Sequence, residues 1–224
     1  MLRGRIRGLL ANLYHVRMQK YTVRRMATRR VRDMMRLMAR RIVNIAESLS
    51  DEEVEEFVEE ILRARRIYVM GAGRSGLVAK AFAMRLMHLG FSSFVVGETI
   101  TPTMSRDDLM VVFSGSGKTK TVADIAETTK EIGGRLALIT SDRDSRIGRI
   151  ADIIVIIEHH RDEVKDDGAE FEVRQMMGEH KSFAPLGTLF ETAAMIFADA
   201  VISRLMEITK IDEKELKNRH ANIE

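Results

Sequence analysis

Two short stretches of this sequence carry residues whose types and spacing suit chemistry on a phosphorylated ligand. The first is "MGAGRSG", Met70 to Gly76, where Gly71, Gly73 and Gly76 spell G-x-G-x-x-G behind an apolar run. That spacing is the dinucleotide fingerprint, in which glycines allow a tight turn and close backbone approach to a pyrophosphate. An acid, Glu98, lies at roughly the distance expected of a ribose-binding residue. The residue types point elsewhere. Arg74 and Ser75 put a cation and a hydroxyl at the closest backbone approach, which suits a hydroxylated, phosphorylated ligand bound directly. The plain structural alternative is that the glycines only make a turn.

The second stretch is "SGSGKT", Ser114 to Thr119. A Walker A loop needs G-x-x-x-x-G-K-[ST], and Gly117, Lys118 and Thr119 supply its end. Its first glycine would stand at 112, which is Val112. The loop is too short to cradle a triphosphate. It remains a good site for one phosphate monoester, because backbone N–H groups at a helix N-terminus point outward and favour an anion. Ser114, Ser116 and Thr119 add hydroxyl donors, Gly115 and Gly117 allow the backbone to come close, and Lys118 offers a point charge. Against this stands a solvated turn with Lys118 in water.

Acid–base candidates are few. Glu191 falls in the first turn of an apolar helix expected over Thr188–Met206, where a carboxylate can serve as a proton shuttle. Thr188 and Glu191 also spell T-x-x-E, and a capping box is the simpler reading of those residues alone. His88 lies on the apolar face of a helix expected over Ser75–Leu89 and reads as a core or contact residue. His220 follows a polar helix and reads as part of a frayed terminus. His159, His160 and His180 lie in a charged stretch without ligand spacing, so no metal is expected.

The elements that must position these residues follow from hydrophobic periodicity. Helices are expected over 31–49 and from a Ser50/Glu53 capping box to about Arg65. Strands are expected at Ile67–Met70, Ser93–Val96, Leu109–Phe113, Leu136–Thr140 and Ile153–Ile157. Between and after them come helices at Ser75–Leu89, Lys118–Ile132, around 145–151, at Thr188–Met206 and from Asp212. Strands apolar on both faces, separated by helices, indicate a parallel sheet covered on both sides, a doubly wound α/β fold. Ligands in such folds bind beyond the C-terminal strand ends, where both glycine loops fall.

Composition sets outer bounds. The 224 residues are 45% hydrophobic and 31% charged, as in a globular protein. There is no cysteine, hence no disulfide, thiolate metal site or cysteine nucleophile, and a cytoplasmic setting is expected. No apolar run reaches the ~20 residues of a membrane span, and no secretory signal is visible. The net charge of +3 is uneven: residues 1–41 hold twelve arginines and one lysine against a single acid, Asp33. Residues 1–30 read as an arginine-rich extension and 31–224 as one domain with a charged insert at 158–184. The arm leaves nucleic-acid binding open, but no aromatic interleaving or recognition motif accompanies it.

"GAGRSG", "AMRLMHLGF", "VGETITP", "SGSGKT", "PLGTLFE" and "RHANIE" in this order resemble the 6-phospho-3-hexuloisomerases of the sugar isomerase (SIS) domain superfamily. The resemblance runs from about Met38 to the C-terminus. It implies a five-stranded parallel sheet with helices on both faces, a homotetramer and no metal or organic cofactor. It implies interconversion of 3-hexulose 6-phosphate and fructose 6-phosphate through an enediol, a step of the ribulose monophosphate pathway. Glu191 then becomes the proton shuttle, and His88 and His220 become candidate catalytic residues, the latter reaching a neighbouring subunit. Gly73, Arg74 and Ser75 would hold the polyol, and Ser114 to Thr119 the phosphate. The arginine arm and the long insert depart from the family pattern. Three rivals stay open: another sugar-phosphate isomerase, a non-catalytic phosphosugar-binding regulator and an NAD-dependent oxidoreductase.

Overall fold

A computed structural model describes residues 30–157 and 188–219. The arginine arm up to residue 29, the whole of the charged insert at 158–184 and His220 lie outside the described residues. The chain divides into two compact units, Met1–Asn44 and Ile45–Glu224. Residues 30–48 are helical, α1.

The second unit alternates strand and helix as the sequence pattern requires. Helix α2 (Asp51–Arg63) leads into β1 (Ile67–Gly71), α3 (Arg74–His88), β2 (Ser93–Val95), β3 (Leu109–Phe113), α4 (Lys120–Ile132), β4 (Arg135–Thr140) and β5 (Ile153–Ile156). Helices α5 (Thr188–Thr209) and α6 (Glu213–Asn218) close the described chain. All pairings are parallel and the strand order is β2-β1-β3-β4-β5. The central strands β1, β3 and β4 show buried residues without alternation, because helices cover both faces.

One face packs Val69, Val111, Phe113 and Ile139 against α2, α3 and α5. Rings of Phe57, Phe82 and Phe113 meet there, with Phe82 edge-on to Phe113 at 5.8 Å. The other face packs Met70, Val112 and Leu138 against Val122, Ala123 and Ala126 of α4, and against Ile147. The doubly wound, five-stranded expectation therefore holds.

Two local expectations are corrected. Residues 145–151 form turns rather than a helix. The Ile147 amide bonds the Gly117 carbonyl at 3.1 Å, and the Gly148 amide bonds Ser145 Oγ, so neither enters a helical ladder. The Ser50/Glu53 box is only half made. Ser50 Oγ accepts the Glu53 amide, but the Glu53 carboxylate turns instead to Arg143 and to the Ile156 amide on the sheet edge.

The sheet's N-terminal end is held by a buried carboxylate. Asp108, with its side chain wholly shielded, accepts bonds from Arg65, Arg66, and the amide and hydroxyl of Ser105. This joins the starts of β1 and β3, the strands whose far ends carry the two glycine loops.

Candidate functional site

Strands β1 and β3 are neighbours, yet their following helices take opposite faces: α3 packs on one and α4 on the other. This is the switch point of a doubly wound sheet, the place at which such folds bind their ligands. The first loop bends sharply between strand and helix. A Cβ on Gly71 would lie 2.7 Å from the Ser75 carbonyl carbon and one on Gly76 2.8 Å from the Gly71 carbonyl oxygen, so these two glycines let a helix start pack against a strand end, while Gly73 turns the chain at φ 57° with open space around it. Helix α3 then begins at Arg74 behind Gly73, with no side-chain cap. Glu98, the candidate ribose ligand, is an exposed partner of Lys80 at 2.5 Å.

The second loop is clamped from beneath by the segment following β4. Gly115 O accepts the Ser141 amide at 3.0 Å and the Thr140 hydroxyl at 3.2 Å, and Gly117 O accepts the Ile147 amide. Gly117 sits at φ 56°, and an added Cβ would stand 2.0 Å from Ser145 Oγ, inside the fully buried Ser145 side chain. Gly117→Ala is therefore expected to lower stability by about 2 kcal/mol through strain at positive φ and overlap with Ser145. It should weaken phosphate binding with it. A urea melt and a phosphate titration check this, and wild-type values for both would show that the loop is not held as described.

Helix α4 starts two residues later than its sequence pattern suggests, which leaves Lys118 and Thr119 in the loop. Thr119 is the N-cap but its hydroxyl makes no capping bond, while Ser116 Oγ accepts the Lys118 amide at 3.3 Å. The Lys118 ammonium pairs with Asp142 at 2.7 Å rather than standing free. Arg146 ties the same segment to α4. Its bonds to Glu127 and Asp124 raise its pKa, so it remains a fixed cation there.

The first turn of α5 reaches both loops. Phe190 lies over Gly115, where an added Cβ would meet its ring at 3.1 Å. The next residue, Glu191, accepts from Arg74 Nε at 2.7 Å. The Glu191 side chain is largely shielded at 13% exposure, whereas Arg74 is 59% exposed. In α5, which runs from Thr188, the Glu191 carboxylate is turned to Arg74. Glu191 and Arg74 are thus brought together across 117 residues of sequence.

Not every candidate joins them. His88 is buried at the other end of the 15-residue α3, about 20 Å of helix rise from Arg74. Its carbonyl accepts from Arg219 at 3.2 Å, and Arg219 packs under Gly90. His220 lies outside the described residues. The sequence reading also passed over Thr140, Asp142 and Ser145, which shape the second loop. Their signal was a polar run, "TSDRDS", directly at a strand's C-terminal end.

Among the described residues no cluster suited to a metal ion is found, and no helix is long and apolar enough to cross a membrane.

Residues 60–170 match the SIS domain family model. The 3-hexulose-6-phosphate isomerase of Bacillus subtilis is 40% identical over 181 residues, covering 81% of this chain and 92% of that protein. A crystal structure of a hypothetical protein aligns with a TM-score of 0.76 at 40% identity, covering 87% of this chain and 97% of that one. A structure from Methanococcus jannaschii, from which a molecular function of 3-hexulose-6-phosphate isomerase was inferred, aligns with a TM-score of 0.69 at 32% identity, covering 86% and 99%. With such identity over nearly the full length of these relatives, the chain belongs to the SIS-domain family that includes the 3-hexulose-6-phosphate isomerases.

Proposed function

We propose that this protein interconverts 3-hexulose 6-phosphate and fructose 6-phosphate. The observation that carries this reading is the first turn of α5, where Phe190 covers the phosphate-type loop and Glu191 meets Arg74 of the sugar-type loop. A carboxylate is thereby held between the two glycine loops.

The chemistry needs little else. The phosphate binds at the start of α4, with Ser114, Ser116, Thr119 and the loop amides as donors. Arg74 and Ser75 orient the sugar hydroxyls. Glu191 takes the proton from C2 of the 3-ketose, the electron pair moves through C3 onto O3, and a 2,3-enediolate with its charge on O3 forms. The same carboxyl returns its proton to C3, while the O2 hydrogen moves to O3 and C2 becomes the carbonyl. One base on one face performs both transfers, so neither oxidant nor cofactor enters the balance. His220 is assigned to assist from a neighbouring subunit, while His88, buried in its own chain about 20 Å of helix rise from Arg74, is given no part in the step.

An assembly of several copies, a homotetramer in this reading, is supported by an exposed apolar stripe on α3: Leu77, Met84 and Met87. A cytoplasmic site of action fits the cysteine-free composition.

A thermal-shift panel of sugar phosphates tests the assignment. Fructose 6-phosphate should stabilise the protein more than fructose or a pentose 5-phosphate, since a ligand of the native state acts by mass action. Turnover should follow on the best binder. No shift with any ketose phosphate would remove the proposal.

A further inference from the structure

The phosphate-type loop has a support that lies outside the loop's own sequence. We propose that Thr140 is a positioning residue that aims the Ser116 amide at the substrate phosphate. The inference rests on the sugar-phosphate reading above and adds a residue to it.

Thr140 ends β4 and is fully buried beside β3. Its hydroxyl is used in both senses. Oγ1 donates to the Gly115 carbonyl at 3.2 Å and accepts from the Asp142 amide at 3.2 Å. A hydroxyl has one donor hydrogen, and here it is committed to Gly115. The Ser141 amide supplies a second bond to the same carbonyl at 3.0 Å. Both lone pairs of Gly115 O are thereby engaged on the β4 side.

A trans peptide is planar, and its C=O and the following N–H point in opposite directions. No cis bond occurs among the described residues. Fixing Gly115 O toward β4 therefore fixes the Ser116 N–H away from it, toward the open side of the loop. The next two amides are engaged within the loop: Gly117 N bonds Ser114 O at 3.1 Å, and Lys118 N bonds Ser116 Oγ. The Ser116 amide is the loop donor whose direction Thr140 sets. Without the hydroxyl, Gly115 O keeps one bond, and the 115–116 peptide is freer to rotate before ligand arrives.

Thr140→Val removes the hydroxyl at nearly constant shape, and Thr140→Ser keeps it. Binding of inorganic phosphate and of fructose 6-phosphate is measured by calorimetry, with KM, kcat and Tm alongside. Thr140→Val should weaken inorganic phosphate about tenfold and raise KM for fructose 6-phosphate by a similar factor, one lost oriented hydrogen bond. It should leave kcat within about twofold, because Glu191 is untouched. Thr140→Ser should match wild type in all of these. Unchanged phosphate affinity in Thr140→Val, with or without a lower Tm, overturns the role. So does a Thr140→Ser variant as impaired as Thr140→Val, which would point to methyl packing. A wild-type protein that binds neither probe instead overturns the sugar-phosphate reading, and Thr140's role with it.

Discussion

Glu191→Gln is expected to retain fructose 6-phosphate binding and to lose turnover by about 10³-fold, the usual worth of a positioned general base. The amide has the carboxylate's shape but cannot take a proton from carbon. Stability should hardly change. Glu191 pairs with an Arg74 that is 59% exposed, so a freed guanidinium returns to water, and such a pair is worth about 1 kcal/mol at most. That contrast makes the test sharp, because a fold defect and a chemical defect separate. Exchange of the substrate's C–H hydrogen with deuterated solvent should vanish together with turnover. A variant that isomerises at the wild-type rate would sink the assignment. Loss of binding in proportion to activity would recast Glu191 as a substrate anchor.

The parts of this molecule that a single sequence makes legible are those encoded locally. The strands of the central sheet are runs such as Leu109–Phe113, apolar at every position, which only a sheet covered on both faces explains. The loops are equally local: glycines and hydroxyls at a strand's end and a helix's start. Arg74 and Glu191 are not a local feature. They meet across 117 residues, and only the family resemblance singled out the carboxylate from its capping-box alternative. Thr140, Asp142 and Ser145 escaped for a related reason. Their effect depends on β4 lying next to β3, a consequence of strand order that no pattern in "TSDRDS" states. The missed turn at 145–151 belongs to the same class, since its Ile147 amide is drawn to Gly117 across the gap between two strand ends. Periodicity placed His88 on the buried face of α3, but a face says nothing about which end of the helix reaches a site.

The opposite end of the sheet yields the second large effect. Asp108→Ala is expected to lower stability by about 3 kcal/mol at neutral pH, the scale for removing one partner of a buried ionic cluster. The Ser105 amide, now at 2.7 Å from Asp108 Oδ2, would lose its acceptor. Arg65 and Arg66, with side chains 53% and 22% exposed, can turn to water, which keeps the loss toward the low end of that range. The pH dependence has a definite sign. Burial alone would raise the Asp108 pKa, but the bond from Arg66 and those from Ser105 outweigh it, and the net shift is downward from the ordinary carboxylate value. The folded state therefore binds the proton more weakly than the unfolded chain. The stabilisation is complete above the unfolded pKa, near 3.8, and is lost as pH falls through the folded one. Urea melts should show a wide gap between wild type and Asp108→Ala at pH 7 that narrows below about pH 4. A gap constant with pH would mean that packing, and not the ionised carboxylate, holds this end. Asp108 precedes β3, whose five residues put about 15 Å of strand between it and the phosphate-type loop. The variant should accordingly keep its kcat wherever it remains folded. Its stability loss should also add to that of Gly117→Ala, since distant sites without shared partners behave independently.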